Sequence, residues 1–338
     1  MYKMIFYPTI SMGLHSSMSA STHPKESPAQ ICYTDKVISS GLQGSILHAN
    51  LVLGDGESHQ VAVKVWNEES PVQNSLLERT ILTKLHGTMG IARIRLFPGW
   101  EQYSDRLFLD WASEGDAFTL VERFQLFQMA AYLGINLEAD VEQAVEDAQR
   151  VLEEELRDGN ITLGVCNKKV ADLEDFIQVY SKLKSDGRVS PPKLTHVHIH
   201  QLFEQLLTAI ANINKLGYAH RDIKPENILI YSLTEKNIEV GITDFGLVVP
   251  LNVRTGIAGT LNYMPSFLKP RIWHTYDGSE DLYGIGLTIE ILLRFLDPEK
   301  FEKEIKLAQI IKKSKIKDIP ELMEEVKNLK RLSECRVC

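Results

Sequence analysis

Residues 220–227 read His-Arg-Asp-Ile-Lys-Pro-Glu-Asn, and residues 244–246 read Asp-Phe-Gly. The first string supplies a carboxylate, Asp222, that can orient a hydroxyl. Asn227 and Asp244 add oxygen ligands of the kind that suit a hard divalent cation such as magnesium or manganese. Either tripeptide alone is weak evidence, and ordinary loop capping explains any one of these polar residues. The extended first motif followed closely by the second fixes many positions together, which capping does not require.

These loops need elements to hold them. Val197 to Leu216 carries an apolar stripe at helical spacing, with Leu202, Leu206, Ile210 and Ile213 on one side. Gly217 then reads as a helix stop. Past Asn227, Ile228, Leu229 and Ile230 predict a short buried strand. Val240 to Thr243 predict its partner, which runs into Asp244.

The order and separation of the two motifs resemble the catalytic and metal-binding loops of eukaryotic-type protein kinases. The resemblance implies an α+β, two-lobed fold, with an antiparallel sheet and one helix in the amino-terminal lobe and a mostly helical carboxy-terminal lobe. It implies transfer of the ATP γ-phosphate to a protein hydroxyl, with Mg2+ or Mn2+ as cofactor. Asp222 would then accept or orient the proton of the attacking hydroxyl. Lys224 would face the transferred phosphate, and its place two residues after Asp222 resembles serine/threonine rather than tyrosine kinases. Asn227 and Asp244 would be the metal ligands, and His220 and Phe245 would pack the two loops together.

The amino-terminal half carries matching features. Val61-Ala62-Val63-Lys64 resembles the strand whose lysine contacts the nucleotide phosphates. Ser70-Pro71-Val72-Gln73 is a good helix start and places Glu78 two turns in, as the partner of Lys64. A competing start makes Ser75 the cap and Glu78 its capping-box mate. The glycine-rich loop aligns with Ser39 to Ile46: Gly41 and Gly44 match, Ile46 is a fair substitute for Val, and Ser39 replaces the first glycine. A strand pair turning at Gly54-Asp55-Gly56 follows. Phe118 to Val121 reads as a buried strand leading to a hinge, so adenine is expected against Val121 and the backbone of Glu122 to Phe124. Ala62 and Leu229 are the remaining expected nucleotide contacts.

Other stretches depart from the family pattern. Gly259-Thr260-Leu261-Asn262-Tyr263-Met264 resembles the end of an activation segment, whose Thr touches the catalytic Asp and Lys. Pro265-Ser266-Phe267 then stands near where the family has Ala-Pro-Glu. Asp281 resembles the aspartate that braces the catalytic loop. After its helix, near Asp297, few residues remain, so a reduced carboxy-terminal lobe is expected. Thr255 is either a phosphosite near Arg221 or a solvent-exposed loop residue. An insertion, 125–195, separates hinge and catalytic loop. In it Leu137 to Leu156 reads as an acidic helix with Val141, Val145, Ala148 and Leu152 on one face, and Val170 to Leu183 as a second helix. The insertion would bind a regulatory partner, or would be a solvated decoration. The expected organisation is a disordered 1–30, an amino-terminal lobe with hinge over 31–124, the insertion, a carboxy-terminal lobe over 196–297, and a helical tail over 298–338.

Of the 338 residues, 44% are hydrophobic, and the length suits one two-lobed catalytic unit. A net charge of -8 argues against a general nucleic-acid binder. Four scattered cysteines argue for a reducing, cytoplasmic compartment. No stretch has the apolar length of a membrane span, and Met1 to Ile10 is too short and too broken by Pro8 to suggest a signal peptide. The ending Cys335-Arg336-Val337-Cys338 fits the bare frame of a prenylation box. Arg336 counts against that, the alternative being a frayed tail with reactive thiols. The whole combination would suit a pathogen effector acting in a host cytosol. Two rival readings stay open: a pseudokinase or scaffold, suggested by Ser39 and Pro265-Ser266-Phe267, and a lipid or small-molecule kinase on the same fold.

Overall fold

The computed structural model describes residues 29–41, 44–67 and 72–334. The expectations for 1–28, for Leu42 and Gln43 of the glycine-rich loop, for Ser70-Pro71 and for Cys335 lie outside them. Gln30, grouped above with the disordered stretch, instead opens a strand. β1 (Gln30–Gly41), β2 (Gly44–Val52) and β3 (Ser58–Trp66) form an antiparallel meander. α1 (Val72–Lys84) and the short β4 (Gly90–Ile91) follow, and β5 (Arg106–Asp110) returns to lie beside β3. Gly41 pairs with Gly44, so the glycine-rich segment is the β1–β2 turn. Alternation gives the sheet two faces. Val61 and Val63 point with Ala49, Leu51 and Phe108 into a small core of their own. Ala62 packs against the main core, with Leu107 and Leu109 of β5 and Leu82 of α1. Lys64, one position further on that face, is thereby aimed at α1.

The expected strand at Phe118–Val121 is instead the first turns of a helix, α2 (Ala117–Leu133). Asp116 is its cap: the side chain accepts from the backbone N–H of Thr119 at 2.7 Å, and Gly134 ends it in the left-handed conformation. A cap and a buried face thus override the strand preference of Phe-Thr-Leu-Val. The strand that leads out of the sheet is β5, and the lobes are joined by residues 111–116. Because α2 runs unbroken through Phe124 and Gln125, the border assumed between amino-terminal lobe and insertion falls inside a helix.

α3 (Val141–Arg157) and α4 (Leu163–Ser185) match the two helices expected in the insertion, α4 starting a full turn and more before Val170. Val141, Val145 and Leu152 are buried with Leu173, Phe176 and Leu183 of α4 and Leu126 and Ala130 of α2. The three helices therefore share a core of their own. α2 also lies on the helical lobe, where the Gln128 side-chain amide donates to the Phe295 carbonyl at 2.8 Å.

α5 (His196–Lys215) buries Leu202, Leu206, Ile210 and Ile213 as its stripe requires. Gly217, with φ of 88°, follows its end. Then come β6 (Tyr218–Ala219), the antiparallel pair β7 (Ile228–Leu233) and β8 (Ile238–Ile242), and β9 (Val249–Pro250) paired with β6. β10 (Arg254–Gly256) pairs with β11 (Trp273–Thr275). α6 (Ser279–Leu296) is followed by α7 (Glu302–Ile311) and α8 (Ile319–Glu334). These last two are not an appended tail. Phe301, Ala308, Ile311, Leu322 and Val326 are part of the main core with α5 and α6. Glu304 of α7, almost wholly buried, joins His196 Nδ1 at 2.7 Å and His200 Nε2 at 3.0 Å on α5.

Candidate active site

Lys64 is the centre of the amino-terminal side. Its Nζ donates to both carboxylate oxygens of Glu78 at 2.9 Å and to Asp244 Oδ1 at 2.7 Å. α1 is already helical at Val72, so Ser75 lies inside it, and the competing cap is ruled out. Burial alone would pull the Lys64 ammonium down, but the carboxylates of Glu78 and Asp244 outweigh it and hold the group above its ordinary value. Burial likewise works to raise the Asp244 carboxyl, and the Lys64 charge beside it leaves it net lowered. Glu78 Oε1 also accepts from the backbone N–H of Phe245 at 3.2 Å. One glutamate thereby ties α1 to the strand lysine and to the Asp-Phe-Gly turn. Asp244 holds a left-handed backbone, φ 62°, which is uncommon for a non-glycine residue and is found where function over-determines the geometry.

Asp222 is the centre of the carboxy-terminal side. Its Oδ1 accepts from the backbone N–H of Thr260 at 2.8 Å and from Thr260 Oγ1 at 2.7 Å. Its Oδ2 lies 3.0 Å from Lys224 Nζ, and that ammonium also donates to Thr260 Oγ1 at 2.9 Å. Asn227 spends its amide N–H groups on the Asp222 carbonyl at 2.8 Å and on Oδ2 at 3.1 Å. The loop is braced from below by Asp281 on α6, whose oxygens accept from the backbone N–H groups of His220 and Arg221 at 2.7 and 2.8 Å. Complete burial pushes the Asp281 carboxyl up to about 7. The Nε2–H of His220 donates to the Thr243 carbonyl at 3.0 Å, and its ring meets that of Phe245 edge-on at 4.8 Å. Burial lowers the His220 imidazole from its ordinary value.

The residues suit a nucleotide with its metal ion. A Cβ at Gly44 would stand 2.1 Å from the Val65 carbonyl oxygen, so only glycine permits that close turn. Ile46 is paired with Lys64 and with Ser39 across the strands, and Ala62 and Leu229 are partly buried against the main core. Among the described residues no three His, Cys, Asp or Glu side chains converge as a metal site. A divalent ion would therefore take the Asn227 amide oxygen and the Asp244 carboxylate, with phosphate oxygens and water completing its shell. That is how magnesium is usually held beside phosphate.

The expected hinge contacts are not brought to this cleft by the route assumed. Val121 and Glu122 are buried on α2, where Glu122 accepts from Lys182 Nζ of α4 at 2.7 Å, and Phe124 packs against the main core. The segment 111–116 takes the hinge position. Sequence reasoning also missed Arg188, just past α4. Its guanidinium donates to the Ser113 carbonyl at 3.1 and 3.2 Å and pairs with Asp186 at 3.1 Å, and Asp186 is held by Lys36 of β1 at 2.6 Å. The insertion thus fastens the hinge to the sheet. The Leu-Phe-Leu core of β5 was the available signal for the hinge. Arg188 gave none, since the Ser113 carbonyl that it clamps lies 75 positions away.

On the acceptor side, Pro265-Ser266-Phe267 leads into a cluster of rings. His274 meets Phe267 at 5.9 Å and Tyr276 at 4.8 Å, and its Nε2 pairs with Glu280 at 2.6 Å. Tyr276, Leu268 and Met264 are buried with Ala219 beside the catalytic loop.

A sheet-bearing lobe and a helical lobe that bring a paired lysine, a braced aspartate and two metal-suited oxygens to one cleft define a two-lobed phosphotransferase. Residues 158–336, more than half of the chain, match the family model described as the protein kinase domain. Similar proteins include CBL-interacting protein kinase 16 of Oryza sativa subsp. japonica, 31% identical over 148 residues, which are 42% of this chain and 32% of that protein. Serine/threonine-protein kinase 33 of Bos taurus is 28% identical over 194 residues, 52% of this chain and 39% of the relative. Calcium/calmodulin-dependent protein kinase type 1 of Caenorhabditis briggsae is 28% identical over 222 residues, 63% and 60%. The chain thus spans between a third and three fifths of the length of these curated relatives. It belongs to the protein kinase family.

Proposed function

We propose that this chain is an active serine/threonine-type protein kinase that phosphorylates a protein hydroxyl. The observation that carries this reading is that both halves of the machinery are assembled at once: Lys64 between Glu78 and Asp244, and Asp222 between Thr260, Lys224 and Asn227. Bound ATP with Mg2+ or Mn2+ supplies the transferable phosphoryl group. Lys64 and the β1–β2 turn hold phosphate, and the backbone of the 111–116 hinge takes adenine. Asp222 orients the acceptor hydroxyl and receives its proton. Lys224 offsets charge near the transferred group, where positioning matters more than basicity. The spacing of Asp222 and Lys224, and the serine/threonine-protein kinase 33 relatives, support a serine or threonine acceptor.

The test is incubation with labelled ATP and Mg2+ or Mn2+, with generic proteins, inositol lipids and small alcohols offered in parallel. Transfer to protein as phosphoserine or phosphothreonine is expected. Asp222→Ala and Asp244→Ala should each lower it by about 10²–10⁴-fold. ATP binding without transfer would favour a pseudokinase, the rival that Ser39 and Pro265-Ser266-Phe267 suggest. Transfer to lipid or alcohol alone would favour the third reading. A regulatory partner on α3 and α4, cytoplasmic placement in a host cell as an effector, and lipidation of Cys335 belong to the same proposal. Affinity capture, cell fractionation and the mass of the carboxy-terminal peptide test these in turn. Among the described residues, no helix is long and apolar enough to cross a membrane.

A further inference from the structure

The chain as a whole is acidic, at -8, yet from Phe245 to Tyr276 it contains no Asp or Glu and three basic residues, Arg254, Lys269 and Arg271. All three are exposed. The same stretch carries large apolar side chains in solvent: Leu261 is 61% exposed, Ile272 76% and Trp273 55%. Scattered single apolar residues on a surface need no explanation, but several on one face, with charge of one sign between them, mark an interaction surface.

The backbone register places two of them, Arg254 and Trp273, on one face. Arg254 lies opposite Thr275, Thr255 opposite His274, and Gly256 opposite Trp273. Residues directly opposite in an antiparallel pair share a face. His274 is turned inward, against Phe267, Tyr276 and Glu280, so Thr255 is inward too. Arg254 and Trp273 are therefore outward together. A Cβ built at Gly256 would meet nothing within 4 Å, so the place beside Trp273 stands open. Ile272 continues the surface, its carbonyl accepting from the Ile257 N–H at 3.0 Å, and Arg271 lies over the Phe267 ring at 5.5 Å. Leu261 brings it to the chemistry, because it follows Thr260, whose Oγ1 touches both Asp222 and Lys224. Leu261 is thus an exposed apolar side chain next in the chain to a residue that touches Asp222.

We infer that this platform selects acidic protein segments in which a bulky apolar residue lies close to the accepting serine or threonine. The inference rests on the kinase reading and adds its substrate class. The apolar residue covers Leu261 and the opening beside Trp273, and flanking carboxylates meet Arg254, Lys269 and Arg271. Such contacts are exposed and individually small, so charge acts through its sum and through steering, while Trp273 is the expected anchor.

A degenerate peptide library with a fixed central Ser or Thr, phosphorylated by the full chain with ATP and Mg2+, reads this out. Asp, Glu and large apolar residues should be enriched near the acceptor. In Arg254→Glu/Lys269→Glu, the ratio of rates on an acidic and a basic peptide should fall about tenfold. In Trp273→Ala, the ratio for a peptide with a bulky apolar residue over its Gly counterpart should also fall about tenfold. Ratios taken within one protein cancel a general loss of folded enzyme. Enrichment of Arg or Lys, or ratios equal in parent and variants, overturns the inference. So does autophosphorylation without transfer to any library peptide, which leaves the kinase reading intact. Absence of both kinds of transfer removes the kinase reading and the inference with it.

Discussion

The nucleotide side and the acceptor side of this cleft are held together by different physics. On the nucleotide side, buried charge does it: Lys64 touches Glu78 and Asp244, and Glu78 is 1% exposed. On the acceptor side, where the family's Ala-Pro-Glu gives way to Pro265-Ser266-Phe267, rings do it. His274 meets Phe267 and Tyr276 edge to face, Arg221 lies over Tyr276 at 5.4 Å, and one His–Glu pair closes the cluster. The chemistry of phosphoryl transfer requires particular charges at particular points, so the first region has little room to vary. A platform has only to be rigid, and rigidity can come from an ion pair or from packed aromatic groups. The change from Ala-Pro-Glu to Pro265-Ser266-Phe267 falls where physics tolerates it, whereas on the nucleotide side the one departure, Ser39, lies in the glycine-rich segment and spares the charges.

The sharpest way to test that contrast is Lys64→Met. It keeps most of the apolar stem and removes the ammonium. Glu78 would stay buried without its cation, close to Asp244. Breaking a buried pair from one side costs about 3–5 kcal/mol, so a large fall in melting temperature is expected, together with loss of transfer by at least about 10²-fold. Thermal and denaturant unfolding measure the first and labelled ATP the second. A variant as stable as the parent would mean that α1 is held by its apolar face alone, and that the charge network serves catalysis only.

The same contrast explains what could be read from the chain beforehand. Lys64, Asp222, Lys224, Asn227 and Asp244 are visible because chemistry fixes their types and their order. Glu78 is visible because a helix must present it two turns in. The stripe of α5 is visible from its spacing. The hinge is not: Phe118 to Val121 has strand composition, and only the Asp116 cap and the burial of Val121 and Glu122 make it a helix. The Arg188 clamp on Ser113 and the Glu304 link to His196 and His200 join residues separated by 75 or more positions. Such long-range contacts leave no periodic or local trace.

His274→Ala tests the acceptor side. It removes two ring contacts and leaves Glu280 without the imidazole, which should cost about 1–3 kcal/mol. KM for a protein substrate should rise about tenfold while KM for ATP stays within about twofold. His274→Gln, which retains a donor for Glu280, should recover part of the loss. Steady-state kinetics with each substrate varied in turn give the answer. Equal changes in both KM values would show that the two regions are one mechanical unit and would end the distinction drawn between them.

The smallest effect is expected at Thr255. It is a candidate phosphosite near Arg221 because no other hydroxyl residue stands between Gly246 and Gly259, the alternative being an exposed loop residue. It is a half-buried strand residue, on the inner face with His274. Arg221, the group that would receive a phosphate, is already engaged. Its Nε donates to the Leu247 carbonyl at 2.5 Å and its Nη1 to the Gly256 carbonyl at 2.9 Å. The segment is also tied by backbone bonds on both sides, Leu251 N–H to the Gly217 carbonyl at 2.8 Å and Asn252 N–H to the Tyr276 carbonyl at 3.0 Å. These bonds do the ordering that a phosphate supplies when it recruits an arginine. Thr255→Ala should therefore change the rate by less than about twofold, a surface-scale effect, and phosphatase treatment of the parent protein should leave its rate unchanged. A tenfold loss in Thr255→Ala, matched by the same loss on phosphatase treatment, would show that Arg221 releases its carbonyls for a phosphate. The acceptor side would then be a switched surface, in contrast to a nucleotide side that is already complete.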